Sequence, residues 1–226
     1  ELIMDGRSQT GIVACASIDD YLNNVILKHE NTREDKEIDR INHVDTLNAQ
    51  TGPIFLAYRS IDVINEVVAK AKKEKPIYNF TSLDGVTHIV WRISREEEIK
   101  TISKAFADIN SIYIADGHHR TASAVKVGLK RRAANPNHRG DEEYNYFLSV
   151  LFPDDQLKIL SYNRGVYDLN GLTREEFLSE LSKNFIVTVK KDGPFEPDEK
   201  GLFGMYLQDT WYILKLKSNR DNDKRK

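Results

Sequence analysis

The chain has 226 residues, 40% of them hydrophobic and 30% charged, with a formal net charge of −2 at pH 7. That length supports one large domain, or one domain with an appendage, and the near-neutral balance offers no basic face for nucleic acid. A single cysteine excludes a disulfide framework, and no run approaches the ~20 apolar residues of a membrane helix, so no membrane association and a cytoplasmic location are expected.

In chain order, residues 1–4 read as a strand that turns at Asp5-Gly6 and returns over 11–18 as a hairpin. Cys15 lies in that apolar return and is expected to be a buried, inert thiol. Asp19-Asp20 then signals a helix through Leu22, Val25 and Ile26 to about Lys28. A second helix is expected over 35–49, with Ile38, Ile41, Val44 and Leu47 on one face. Pro53 restarts a strand over 54–58, and a helix follows with Ile61, Ile64, Val67, Val68 and Ala71 at its spacing. Residues 78–81 and 87–91 flank Leu83-Asp84-Gly85 as a hairpin, and Ser94 caps a helix through Ile99, Ile102 and Phe106.

The most informative stretch follows. Residues 112–115 are a short β-branched and aromatic run that stops at Asp116-Gly117-His118-His119-Arg120, and a helix is expected over 121–129 with Gly128 as its cap. Gly117 removes a side chain at the turn, so a ligand can approach the main chain. The N–H groups of residues 118–121 open a helix and suit an anion, and Arg120 adds a planar fork for phosphate oxygens. Adjacent helical residues diverge by about 100°, so at most one of His118 and His119 faces the same ligand atom as Arg120. Asp116 can alternatively serve only as an N-cap.

Residues 131–140 read as a basic, turn-rich loop, either a solvated loop or a lid. A further hairpin is expected from 146–152 and 157–162 around Pro153-Asp154-Asp155. The character then changes: a helix over 173–183 opens with a capping-box pattern, and strands are expected at 185–189, 205–207 and 211–216. The expected organisation is α+β: a domain over 1–165, a smaller α/β appendage over 166–217 and an unordered polar tail over 218–226. Both ends read as cuts, so an excerpt of a longer protein is expected.

Two segments offer partners for the phosphate motif. His29-Glu30-Asn31-Thr32-Arg33 is placed at a helix-to-loop junction, where Glu30 can act as a base and His29 and Thr32 can bind substrate; a charged helix end facing water is the competing reading. Asp39 and His43, four apart on the next helix, can pair as a metal site, a base with its orienter or a surface contact. Arg7 and Gln9 read as hairpin-tip residues within reach of a ligand. No Walker A, Gly-x-Gly-x-x-Gly or zinc spacing is present.

The box Ala115-Asp116-Gly117-His118-His119-Arg120-Thr121-Ala122 resembles the Gly-x-x-Arg-x-x-Ala box of the ParB/sulfiredoxin-like superfamily. It is most similar to an uncharacterised bacterial family there and to the related free-serine kinases. The stretches Asp5-Gly6-Arg7-Ser8-Gln9-Thr10-Gly11, Lys28-His29-Glu30-Asn31-Thr32, Asp39-Arg40 and Gly52-Pro53-Ile54-Phe55 extend the resemblance over roughly residues 1–165. His118 stands where sulfiredoxin has its reactive cysteine, and His118 and His119 replace a glutamate and an arginine of ParB, so sulfur repair and chromosome partitioning are disfavoured. The resemblance implies a mixed sheet with flanking helices, a nucleotide (ATP or ADP) with Mg²⁺, and phosphoryl transfer to a small hydroxylated metabolite such as free serine. In that reading Gly117, His118, His119, Arg120 and Thr121 hold phosphate, His119 stabilises transferring charge, Asp116 binds Mg²⁺ or orients the acceptor, and Glu30 is the base. A non-catalytic nucleotide-binding regulatory module and a Mg²⁺-dependent small-molecule hydrolase are the alternatives; the oligomeric state is left open.

Overall fold

A computed structural model describes residues 1–217; the 218–226 stretch, expected to be an unordered tail, lies outside the described residues. Those residues form six α-helices and twelve strands in three sheets, a mixed α+β architecture. The chain divides into two compact units, Glu1–Lys158 and a second beginning at Ile159.

In the first unit β1 (Leu2–Met4) pairs with β2 (Arg7–Gln9), with Met4 opposite Arg7. Asp5 (φ 51°) and Gly6 (φ 74°) are both left-handed, a two-residue turn whose twist matches the strands. The return strand is therefore 7–9, and not the expected 11–18. At Gly11 the chain passes against the Phe152 ring, where a Cβ would come within 2.7 Å, and β3 (Ile12–Ser17) joins a different sheet.

The expected helix to Lys28 is only α1 (Ile18–Leu22), capped by Ser17, whose hydroxyl accepts from the Asp19 N–H at 3.1 Å. Asn24 (φ 57°) ends it, and Ile26–Leu27 becomes a two-residue strand, β4, parallel to a later strand. α2 (Glu34–Leu47) ends at left-handed Asn48. Its expected apolar face is only partly used: Ile38 and Leu47 are exposed, whereas Glu37 is buried beneath Lys126 and Thr32.

β5 (Ile54–Tyr58), α3 (Asp62–Ala71), β6 (Tyr78–Thr81) and β7 (Thr87–Val90) form where the periodicity places them. α4 (Glu96–Ala107) starts after Arg95 rather than Ser94 and has no side-chain cap. β8 (Ile112–Asp116), α5 (His118–Ala134) and β9 (Tyr146–Pro153) complete the unit. One sheet has the order β3-β9-β5-β8-β4, and the other is β2-β1-β7-β6. β5 lies parallel to β9 and antiparallel to β8, while β4 is parallel to β8. Because β9 is flanked by β3 and β5, both its edges are filled, and the 157–162 partner expected for it forms no strand. Ile18, Leu56, Ile64, Ile114 and Phe147 are wholly buried in the core, with Ala124 and Val125 of α5 packed among them.

α5 does not stop at Gly128. That glycine is wedged between the Tyr144 carbonyl and Ile18, whose Cδ1 would lie 2.7 Å from an added Cβ. The helix continues to Ala134, so Arg131 and Arg132 are helical and not part of a loop. Arg131 pairs with Asp45 (3.2 Å) and Arg132 with Asp19 (2.6 Å), cations placed favourably in a last helical turn. Neither belongs to a lid.

In the second unit α6 (Arg174–Asn184) opens with the full capping box of Thr173 and Glu176. β10 (Phe185–Lys190), β11 (Leu202–Leu207) and β12 (Thr210–Leu216) follow as an antiparallel sheet of order β10-β12-β11. Among the described residues no helix is long and apolar enough to cross a membrane.

Gly128 gives a test with an unusual sign. In an exposed helix Gly→Ala is stabilising by about 1 kcal/mol. Here the Tyr144 carbonyl and Ile18 leave no room, so Gly128→Ala should destabilise by about 1–3 kcal/mol. Urea unfolding of the variant measures it, and an unchanged or higher midpoint would contradict this packing.

Candidate functional site

Only Gly117 separates β8 from α5. It is the helix N-cap, with φ 98° and ψ 28°, a conformation that L side chains rarely adopt. Arg120 folds back over it: a Cβ on Gly117 would lie 3.0 Å from Arg120 Nη2 and 3.2 Å from Cζ. Asp116 makes no cap hydrogen bond to the helix. Its Oδ2 instead accepts from Arg120 Nη2 at 2.9 Å, and Arg120 Nη1 donates to the Pro53 carbonyl. The Asp116 side chain is 75% exposed at the strand end, so its other oxygen faces outward.

The first N–H groups of a helix have no acceptor within it. Thr121 is the first residue of α5 whose N–H is satisfied locally, donating to the Gly117 carbonyl at 2.9 Å, and its hydroxyl reaches the same oxygen at 3.1 Å. Thr121 is wholly buried. The donors left for an anion are the main-chain groups of His118, His119 and Arg120.

The two histidines turn toward one segment, the loop between β4 and α2. His118 Nε2 accepts from the His29 N–H at 3.5 Å, and His119 Nε2 accepts from the Arg33 N–H at 3.1 Å. Adjacent imidazoles thereby hold both ends of the loop that carries Glu30. His29 and His118 also meet edge to face, their ring centroids 4.4 Å apart. With Nε2 accepting, the proton of neutral His118 sits on Nδ1, which lies 3.6 Å from Glu30 Oε2. Burial of His118 disfavours its imidazolium, His29 adds to this, and Glu30 and Asp116 oppose it; the balance lowers its pKa from the ordinary histidine value. Glu30 itself is largely exposed. It stands at a bend in the loop and not at the end of a helix, because the preceding residues are drawn into β4.

The loop is anchored from below as well. Thr32 donates to Glu37, which also pairs with Lys126, and these two partners hold the Glu37 carboxyl below the usual range. Ser123 donates to the His119 carbonyl at 2.7 Å and to the Glu37 carbonyl at 3.3 Å. α2, α5 and the loop thus share one polar seam.

Other expected residues are placed elsewhere. His43 meets Thr51 Oγ1 at 3.2 Å, and no bond joins it to Asp39. Arg7 bonds Gln9 at 3.2 Å and the Gln156 carbonyl, which makes the pair part of the hairpin's own scaffolding. Cys15 is exposed, not buried: β3 is an edge strand, and the thiol lines a cleft of about 370 Å³ that also touches α2 and α5. Among the described residues no group of three or more His, Cys, Asp or Glu side chains could hold a metal ion. Sequence reasoning did not find the two main-chain donors at His29 and Arg33, which leave no residue-type signal.

A family model described as a protein of unknown function (DUF1015) matches residues 1–225, so the chain belongs to that family. No curated protein and no solved structure matches.

The clamp has a pH signature. Neutral His118 is an acceptor and imidazolium is not, and its folded pKa lies below the unfolded value of about 6.5. Its contribution is therefore complete above about pH 6.5 and is lost as pH falls through the lowered folded value. The His118 ring proton should titrate in NMR with a midpoint below about 6.5, and the His29 amide, which donates to that ring, should lose protection relative to its intrinsic exchange rate at acid pH. A midpoint at or above that value would contradict the clamp.

Proposed function

We propose that this member of the family is a nucleotide-dependent phosphotransferase that moves a phosphoryl group from ATP or ADP to the hydroxyl of a small metabolite. The observation that carries the reading is the clamp: it holds the Glu30 carboxylate beside a helix start whose N–H groups and Arg120 suit phosphate. The likeness of the box at 115–122 to the ParB/sulfiredoxin-like superfamily, and to its free-serine kinases, supports the same chemistry and makes free serine the first acceptor to try.

The terminal phosphate lies against the N–H groups of His118, His119 and Arg120, with Gly117 admitting its close approach. Arg120 exchanges Asp116 for two phosphate oxygens, as its planar fork allows. That exchange leaves the exposed Asp116 carboxylate to hold Mg²⁺, an ion that commonly takes one or two protein carboxylates together with substrate phosphates. When bound, Mg²⁺ supplies charge neutralisation on the phosphates. His119, whose Nε2 is occupied by Arg33, offers its Nδ1–H to the transferring group.

Glu30 accepts the proton of the acceptor hydroxyl as that oxygen attacks phosphorus. The new O–P bond forms while the bridging P–O bond breaks, the electron pair leaves with the nucleotide, and Glu30 passes its proton to solvent. His29 borders the acceptor. Thr32, donating to Glu37, keeps lone pairs to accept from it.

Incubation with ATP or ADP, Mg²⁺ and a panel of amino acids, read by mass spectrometry, tests the reading. Glu30→Gln should lower kcat by about 10²–10⁴ and leave nucleotide affinity unchanged. A nucleotide-induced thermal shift without any phosphorylated product would leave only a regulatory module. Phosphate release without an acceptor would indicate a hydrolase.

A further inference from the structure

The cleft beside Cys15 does not stand alone. A smaller one of about 40 Å³, lined by Arg40, His43, Thr51, Gly52 and Arg120, abuts it, and the two share Val44, Gln50 and Ala124. Helical spacing explains the continuity. Arg120, Ala124, Val127 and Arg131 fall on one face of α5, and Arg40 and Val44 fall on one face of α2, which ends at Asn48. The groove between the two helices runs from Arg120 to Arg131, about 16 Å along the α5 axis.

Its two ends differ in chemistry. At the Arg120 end, Arg40 has no hydrogen-bond or ion-pair partner among the described residues, and His43 and Arg120 stand nearby. At the far end most polar groups are already used. Arg131 is spent on Asp45 and Asn48, and Gln50 on the Tyr146 carbonyl and the Leu148 N–H. The rest of that wall is Tyr144, Tyr146 and the side chains of Val44, Ala124, Val127 and Leu148, together with the Glu143 carboxylate. A cleft of about 370 Å³ is of the size that takes a small organic ligand. Cationic at one end and aromatic at the other, it fits a phosphorylated molecule with a flat, weakly charged ring.

We propose that the α2–α5 groove holds the nucleoside of the nucleotide, its base against Tyr146 and its phosphates reached by Arg40 and Arg120. This rests on the phosphotransferase reading and adds where the base goes. Cys15, the sole cysteine, lines the groove and reports on its occupancy.

The test compares Mg–ADP with Mg–pyrophosphate, which fills the phosphate end alone. With Mg–ADP at ~100 times its Kd, alkylation of Cys15 should slow roughly tenfold or more. Pyrophosphate should leave that rate unchanged. Tyr146→Ala should weaken Mg–ADP about tenfold in calorimetry and leave pyrophosphate affinity as it was. Calorimetric binding of Mg–ADP with no protection of Cys15 and no effect of Tyr146→Ala would overturn the groove and leave the phosphate site standing. Absence of binding by either probe would overturn both.

Discussion

The site depends on one residue held in a left-handed conformation. With Gly117 at φ 98°, β8 passes into α5 without a connecting loop, and every side chain of the first turn has its direction fixed by a strand anchored through buried Ile112 and Ile114. Helical geometry then separates His118, His119 and Arg120 by about 100° each. Two of them turn to the loop before α2, and the third folds back over Gly117 itself. A side chain at 117 would be strained by its φ and would crowd the guanidinium. The same residue therefore supplies the turn, the open helix start and the seat for Arg120.

From that turn the rest of the site is built by neutral acceptors. His118 and His119 each take one main-chain N–H, and the loop between them has little secondary structure of its own. Burial of His118 keeps its ring uncharged and so keeps it an acceptor. Below the loop, Glu37 is a charged group buried under Lys126 and Thr32, which ties α2 to α5 where a purely apolar contact would leave their relative rotation less defined. The groove along these two helices inherits its shape from that pairing.

Much of the fold was legible because its signals are local. β5, α3, the β6–β7 hairpin and the capping box at Thr173 follow from periodicity and turn chemistry, and their residues need no distant partner to be recognised. What was not legible depends on tertiary contact. Ile26 and Leu27 look helical beside Leu22 and become a strand because β8 offers them an edge. Gly128 looks like a helix end and is instead a point of close packing against Tyr144 and Ile18. Residues 157–162 are apolar enough to read as a strand after the Pro153-Asp154-Asp155 turn, but β9 has no free edge to receive them. In the site, the Asp116–Arg120 box could be read from its residue types, and the juxtaposition of Glu30 with it was a conjecture from chemistry. The donors that bring Glu30 there belong to the main chain, and main-chain groups are the same in every sequence.

A crystal structure of the chain with Mg–ADP tests the central claim most directly. The account predicts a phosphate within hydrogen-bond distance of the His118, His119 and Arg120 N–H groups, with the Arg120 guanidinium moved from Asp116 onto its oxygens. ADP bound with its phosphates away from residues 117–120, and the Asp116–Arg120 pair intact, would contradict it.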